Sequence, residues 1–216
     1  MRVFNANVTK VVDGDTVNFD FAGEPSIALP KAVLKKKSIR FFGTDAPESD
    51  FEGQSQGEIA VKAKEHLGKL LRVGDEIQIL TAVDVSDGYG RILGRILKGG
   101  KDVNLRMVRD GWAVMYQIYP NLQNFEKYRE AFKQAIDKKR GMFSSGEVEY
   151  PFEFRARIRK TPPTRYVGDY KTGYYFYPTE YKLVSPEDRI FFSSEGAVRK
   201  SGFVLRPRSL VAELYE

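Results

Sequence analysis

Residues 8–21 of the chain read VTKVVDGDTVNFDF, and apolar residues alternate with polar ones on both sides of Asp13-Gly14-Asp15. Alternation with a period of two is typical of a half-buried β-strand, and Asp-Gly is a favoured pair for the tight turn of a hairpin. The stretch therefore predicts a strand, a turn and a second strand. Taken alone, the two aspartates are explained by the turn and do not indicate a functional site.

The rest of the first two thirds of the chain continues this pattern. Alternation predicts further strands at residues 38–42, 76–83 and 91–97. Apolar residues at helical spacing predict helices at residues 58–71, 103–108 and 125–136. Residues 22–37 contain two prolines and a glycine and predict a long loop or an extended hairpin. Five strands with a helix after the third are the order of an OB-type barrel, so the predicted fold class is mainly β with helices, α+β.

Residues 40–48 read RFFGTDAPE, which places an arginine and two carboxylates at one strand end. A strand that ends before Asp45 releases Asp45 and Glu48 into a loop. A hard cation such as Ca²⁺ prefers oxygen ligands, and Asp15 and Asp45 can supply two of them. Arg91 directly follows a tight turn, where its guanidinium group can bind two phosphate oxygens. A surface cluster of salt bridges is the alternative interpretation.

Five motifs follow one another over residues 8–143. They are VVDGDTV at residues 11–17, Arg40 with DAPE at 45–48, QGEIA at 56–60, YGR at 89–91, and NL at 104–105 with VRDGWA at 108–113. In this order they resemble the staphylococcal nuclease (thermonuclease) family. The resemblance implies a five-stranded OB-fold barrel. It also implies a Ca²⁺-dependent enzyme that hydrolyses DNA, RNA or both at the 5′ P–O bond and leaves 3′-phosphate ends.

The resemblance assigns a role to each matched position. It implies that Arg40 and Arg91 bind the phosphate and that Glu48 activates the attacking water. It implies Ca²⁺ ligation by the carboxylates of Asp15 and Asp45 and by the backbone carbonyl of Ala46. It further implies contact with the substrate by Tyr89, Tyr116 and Tyr119, and support of the ligands by Asp13 and Thr16. The interval from Asp15 to Arg40 is longer than in the family, so residues 22–37 include an insertion.

The composition changes after Gly141, which predicts a nuclease OB-fold domain at residues 1–149 and a small basic, aromatic-rich α+β module at residues 150–216. Residues 153–208 contain 12 Lys and Arg against 6 Asp and Glu. Aromatic and basic residues interleave at residues 150–159, which suits base stacking combined with phosphate contacts. Packing of a small domain with a basic surface explains the same pattern.

The C-terminal segment also resembles the small zinc module of Ada-type DNA repair proteins. The resemblance lies in residues 175–178, 188–197 and 202–207. That module binds zinc through cysteines, and this chain has no cysteine. A module of this type would therefore be held together here by packing alone.

Composition narrows the classes of protein that fit. Hydrophobic residues make up 42% of the chain and the formal net charge is +6, which fits a folded protein that attracts polyanions such as DNA or RNA. The absence of cysteine excludes disulfides and thiolate chemistry. The sequence contains no run of 18 apolar residues, so it predicts no membrane-spanning helix. We expect a monomer. The residues MRVF lead into a strand pattern, whereas a signal peptide would need an apolar stretch there. We therefore expect that any signal peptide has been removed. A secreted or periplasmic location is favoured over a cytoplasmic one.

A second function remains open on the sequence alone. Members of such a fold that lose their active residues become non-catalytic modules that bind nucleic acid or protein. The presence of Asp15, Arg40, Asp45, Glu48 and Arg91 favours the enzyme. The sequence leaves open the choice between DNA and RNA and the balance of endonuclease and exonuclease action.

Overall fold

The computed structural model describes residues 2–23 and 29–207, and part of the insertion, residues 24–28, lies outside the described residues together with Met1 and residues 208–216. The strands described are β1 (Val3–Val11), β2 (Thr16–Phe21), β3 (Ser38–Phe41), β4 (Gly43–Asp45), β5 (Glu76–Ser86), β6 (Ile92–Lys98), β7 (Lys101–Asp102), β8 (Val114–Ile118), β9 (Tyr166–Asp169), β10 (Tyr174–Phe176), β11 (Arg189–Phe192) and β12 (Val204–Leu205). The α-helices described are α1 (Lys31–Lys36), α2 (Glu58–Leu70), α3 (Val103–Arg109), α4 (Phe125–Asp137), α5 (Pro151–Ile158) and α6 (Glu195–Lys200). Short 3₁₀ segments lie at Gly141–Ser145, Pro178–Leu183 and Pro186–Asp188. Within the described residues no helix combines the length and the apolar character needed to cross a bilayer.

Five of these strands close into a barrel. Strand β1 pairs antiparallel with β2 and β5, β2 pairs antiparallel with β3, and β5 pairs antiparallel with β6. The barrel closes because β3 also pairs with β6, in parallel, with Ile39 opposite Ile92. The inward-facing side chains of these strands, including Phe19, Ile79 and Ile96, are almost fully buried. The predicted five-stranded barrel of the OB type is confirmed.

The turn between β1 and β2 packs directly against α2. Helix α2 buries Ala60, Ala63 and Leu67, and these small and branched side chains let the turn approach closely. A Cβ atom added to Gly14 would lie 2.6 Å from the Cβ atom of Ala46 and 3.1 Å from that of Ala63. Glycine is therefore required at this position by the close approach of the chain, and the contact fixes Asp15 beside the start of the loop after β4.

A second sheet joins the barrel to the C-terminal third. Its strand order is β12-β10-β9-β11-β8-β4. Strand β4 pairs antiparallel with β8, with Asp45 opposite Val114, and β8 pairs in parallel with β11, with Gln117 opposite Ile190. The strand that ends at Asp45 thus belongs to a sheet completed by residues far beyond position 150.

Several elements differ from the sequence prediction. Asp45 lies in strand β4 and not in the predicted loop, because Gly43–Asp45 pair with β8, a strand distant in sequence. Helix α1 lies within residues 22–37, for which the sequence predicted a loop or an extended hairpin. The helix forms because Lys, Ala and Leu are good helix formers and because Val33 is fully buried. Pro30 directly precedes its first residue. Strand β8 was not predicted, because both of its strand partners are distant in sequence. The predicted helices α2, α3 and α4 are present.

Candidate active site

The predicted arginine and aspartates meet where two elements of the barrel lie beside strand β4 of the second sheet. Asp15 ends the turn before β2, Arg40 lies in β3, and Asp45 ends β4. Pairing of Thr16 with Arg40 across β2 and β3 brings the arginine alongside the turn. The guanidinium group of Arg40 contacts Asp15 Oδ2 through Nη1, and its Nη2 lies 2.6 Å from Asp45 Oδ1. One arginine therefore bridges both predicted ligand carboxylates.

Local hydrogen bonds fix the carboxylate of Asp15. The backbone N–H of Ala46 donates to Asp15 Oδ2 at 2.6 Å, and the hydroxyl of Thr16 donates to Asp15 Oδ1 at 3.2 Å. The side chain of Asp13 accepts from the backbone N–H of Asp15 at 2.9 Å. Asp13 and Thr16 therefore both form hydrogen bonds with Asp15. Ala46, the predicted carbonyl ligand, lies in contact with Asp15 through its backbone.

The site concentrates negative charge in a buried place. Burial raises the pKa of Asp15 well above its ordinary value; Arg40 opposes the rise, and the carboxylates of Asp13, Asp45 and Glu48 reinforce it. Burial also raises the pKa of Glu48. These shifts mean that the ionised carboxylates are held at an electrostatic cost, which nearby positive charge lowers.

A residue that the sequence did not indicate completes this cluster. Arg155 of α5 binds both oxygens of Asp45, with Nη1–Oδ1 at 2.9 Å and Nη2–Oδ2 at 2.8 Å, and its Nη1 lies 2.5 Å from Glu48 Oε1. Although burial disfavours the charged guanidinium group, Asp45 and Glu48 hold the pKa of Arg155 above its ordinary value. The interleaved aromatic and basic residues at 150–159 were the only sequence signal near it, and they did not connect Arg155 with Asp45.

Arg91 is held by its own turn. Its Nε donates to Asp87 Oδ2 at 2.6 Å, and its guanidinium carbon lies 5.5 Å from the centre of the Tyr89 ring. Asp87 also accepts from the backbone N–H groups of Tyr89 and Arg91, each at 2.9 Å. Helix α1 supports the same turn, since Lys36 donates to the carbonyl of Tyr89 at 2.9 Å. The structure thus fixes Arg91 through Asp87 while it joins Arg40 directly to the carboxylates.

The three predicted substrate tyrosines differ in their surroundings. Tyr89 is 68% exposed, and its ring faces the guanidinium group of Arg91. Tyr116 stacks on Phe152, with ring centres 5.5 Å apart and planes within 12° of parallel. Tyr119 stacks on Phe192 and remains 41% exposed. Tyr116 and Tyr119 therefore both pack against side chains from the C-terminal third.

The donor atoms of the cluster suit a hard cation. Asp15, Asp45 and the carbonyl of Ala46 offer oxygen only, which is the donor type that Ca²⁺ prefers. Three carboxylates, those of Asp15, Asp45 and Glu48, form ion pairs with Arg40 or Arg155, and the nearby carboxylate of Asp13 adds a fourth negative charge. When all are ionised, this leaves two negative charges, which match a divalent cation. Over residues 2–23 and 29–207 no three acidic or imidazole side chains form a metal cluster by themselves, so a cation here would depend on the backbone carbonyl and on water.

The segment that carries most of this geometry matches a known family. The profile of the family described as "Staphylococcal nuclease homologue" matches residues 38–145, half of the chain. The chain belongs to the staphylococcal nuclease family. The matched region contains Arg40, Asp45, Glu48 and Arg91, whereas Asp15 precedes it and Arg155 follows it.

Individual relatives agree with the family. The chain is 34% identical over 209 residues to endonuclease YhcR of Bacillus subtilis (strain 168), which covers 92% of this chain and 16% of that protein. It is 30% identical over 177 residues to the probable endonuclease LCL3 of Yarrowia lipolytica, and the match covers 71% of this chain and 76% of that protein. Endonuclease YncB of Bacillus subtilis is 28% identical to it over 155 residues, and the match covers 68% of this chain and 65% of that protein. The chain thus spans about a sixth of the length of YhcR, and that similarity includes residues on both sides of position 150.

Proposed function

We propose that the chain is a Ca²⁺-dependent nuclease that hydrolyses DNA or RNA at the 5′ P–O bond and leaves 3′-phosphate ends. The observation that carries the proposal is the bridge from Arg40 to Asp15 and Asp45 beside the partly buried Glu48. Membership of the staphylococcal nuclease family and the endonuclease names of the relatives support the nuclease activity.

Each residue of the cluster has a role in this chemistry. Asp15, Asp45 and the carbonyl of Ala46 would hold the cation, which supplies positive charge beside the phosphate oxygens when bound. Glu48 accepts a proton from the attacking water. The water oxygen forms a bond to phosphorus, the bond from phosphorus to the 5′ oxygen breaks, and the leaving oxygen takes up a proton from solvent.

The arginines bind the charge that grows during the reaction. Negative charge builds on the phosphate oxygens in the transition state, and one fixed donor at such a site contributes about 3 to 4 kcal/mol. Arg40 is already fixed by the two aspartates. Because Asp87 binds Nε of Arg91, the Nη groups are the donors that Arg91 offers to the phosphate.

The proposal is tested with end-labelled single-stranded DNA, duplex DNA and RNA, each incubated with Ca²⁺ or with EGTA. We expect cleavage that needs Ca²⁺ and products whose 3′ ends change mobility after phosphatase treatment. Glu48→Gln is expected to lower turnover by about a hundredfold or more, because the general base is lost. Glu65→Gln is the matched control, since Glu65 is exposed on α2.

Each contrary result removes a defined part of the proposal. Full activity in EGTA removes the requirement for Ca²⁺. Products with 5′-phosphate ends contradict the assigned bond. Binding of nucleic acid without cleavage under any of these conditions supports the non-catalytic module instead.

A further inference from the structure

A cavity of about 280 Å³ lies beside the catalytic cluster. Its walls come from α5, the segment at residues 161–165, the start of the 3₁₀ segment Pro178–Leu183, and single residues of β8 and β11. Nearly all of it follows residue 145, where the family match ends. Its size is just below the range for ligand sites in proteins, roughly 300 to 1,000 Å³, so it suits a ligand no larger than one nucleotide.

The charge of the cavity has one sign. Three arginines line it, Arg155, Arg159 and Arg165, and its described lining contains no Asp or Glu. Arg159 forms an ion pair with Glu52 at 2.7 Å, but its side chain is still 48% exposed. Arg165 lines the cavity together with Tyr116. Arg155 is paired with Asp45 and Glu48, so Arg165 is the lining arginine for which no described carboxylate is a partner, and the exposed Arg159 lies beside it. Guanidinium groups so placed are suited to binding phosphate.

The floor of the cavity is aromatic. Tyr116 and Phe152 lie stacked within it, and Phe191 packs 4.5 Å from Tyr116 between ring centres. The wall opposite α5 includes Pro162 and Pro163, whose fixed backbone angles restrict the segment. Flat apolar rings beside basic groups form the combination that binds an unpaired base together with its backbone.

Arg155 connects this cavity to the catalytic carboxylates. The same guanidinium group that lines the cavity binds Asp45 and Glu48. A ligand in the cavity therefore lies next to a phosphate held at the cluster. A base can stack on the aromatic rings of the cavity only when it is not paired in a duplex.

We propose that this cavity is a subsite for one unpaired nucleotide flanking the phosphate that is cut, with its base on the Tyr116 and Phe152 surface and its phosphate on Arg159 and Arg165. The proposal rests on the proposed nuclease function for its place in the reaction. The C-terminal third thereby gives the enzyme a preference for single-stranded over duplex substrate.

The first test measures binding without catalysis. Labelled single-stranded and duplex oligonucleotides of one sequence are titrated in EGTA with the Glu48→Gln protein and with the same protein carrying Arg165→Ala. We expect about tenfold weaker binding of the single strand, a decrease of about 0.7 in the slope of log affinity against log salt for one lost phosphate contact, and unchanged duplex binding. Arg157→Ala is the matched control, because Arg157 lies on the same region of the chain but pairs with Glu149 outside the cavity.

The second test uses substrate length. A chromogenic phosphodiester of a single nucleoside is too short to reach the cavity, so Arg165→Ala should leave its kcat/KM unchanged while kcat/KM for a single-stranded oligonucleotide falls about tenfold. Arg165→Gln keeps a polar side chain that can donate hydrogen bonds but removes the charge, and it should show the same loss with an unchanged circular dichroism spectrum and melting temperature.

The outcomes separate this subsite from the proposed function. Equal effects of Arg165→Ala and Arg157→Ala, or equal losses for single strand and duplex, overturn the subsite. An inactive wild-type protein overturns the nuclease function, whereas the binding measurements in EGTA still decide whether the cavity holds an unpaired nucleotide.

Discussion

Arg155 places a guanidinium group on two carboxylates that the proposed reaction needs for a cation and for water. Both oxygens of Asp45 accept from Arg155, and Glu48 shares the same Nη1. A cation and a guanidinium group compete when they require the same oxygens. The arrangement therefore couples the position of α5 to the loading of the metal site.

We expect Arg155→Ala to lower stability without metal, because removal of one partner from a buried ion pair costs about 3 to 5 kcal/mol; the side chain of Arg155 is only 22% exposed. We also expect Ca²⁺ to raise the melting temperature more in Arg155→Ala than in the wild type, since the oxygens of Asp45 no longer have a competing partner. Thermal melts over a Ca²⁺ titration measure both effects.

Arg157→Ala again serves as the control, and it should follow the wild type because its ion pair with Glu149 is exposed. A smaller Ca²⁺ stabilisation in Arg155→Ala than in the wild type would mean that Arg155 assists the cation. Competition between Arg155 and Ca²⁺ for the oxygens of Asp45 would then be excluded.

At the scale of elements, α1 supports the turn that carries Arg91. Lys36 binds the carbonyl of Tyr89. Gly90 has a φ of +75°, and a Cβ atom there would lie 3.2 Å from the Cβ atom of Ala32. The insertion therefore contributes to the position of a predicted catalytic arginine.

Gly90→Ala is expected to cost about 1 to 2 kcal/mol, because a side chain is disfavoured in the left-handed region, and to reduce turnover by displacing Arg91. Gly88→Ala is the matched control two residues away, with no positive φ and no atom within 4 Å of the added Cβ. Urea denaturation and kcat on a single-stranded substrate give the two readouts. Similar values for the two variants would show that the packing of α1 on the turn does not affect Arg91.

The sequence predicted the elements whose information is local. The cluster of Asp15, Arg40 and Asp45 could be predicted because a turn and the end of a strand are recognised from a few neighbouring residues, and the structure brings the three side chains together. Helix α1 was obscured because prolines and a glycine dominate its neighbourhood, although its own residues favour a helix. Arg155 could not be found, because its contact with Asp45 joins residues 110 apart and no spacing rule links them.

At the scale of the whole molecule, the C-terminal third shares a sheet and a core with the barrel. Strand β8 lies between β4 and β11. Tyr175, Ile190 and Phe192 belong to the same cluster of buried side chains as the barrel residues. The predicted boundary near position 150 therefore falls between parts of the chain that bury apolar surface against each other.

We expect a chain ending at Glu149 to melt at a much lower temperature and to bind a hydrophobic dye, because β8 loses β11 and Tyr116 loses Phe152 and Phe191. Ending the chain at Pro207 is the control, since it removes none of the described contacts. Calorimetry and dye fluorescence measure the difference. If residues 1–149 melt cooperatively at the temperature of the full chain, the predicted boundary marks an independent domain.

The pairing of β8 with β11 also has a consequence during synthesis. Ribosomes add about 5 to 20 residues per second, so β8 exists for several seconds before Arg189–Phe192 has been made. During that interval one edge of β8 has exposed backbone N–H and C=O groups, which can pair with a strand of another chain. Nascent chains translated side by side on one messenger are therefore most prone to join each other in the seconds before β11 emerges.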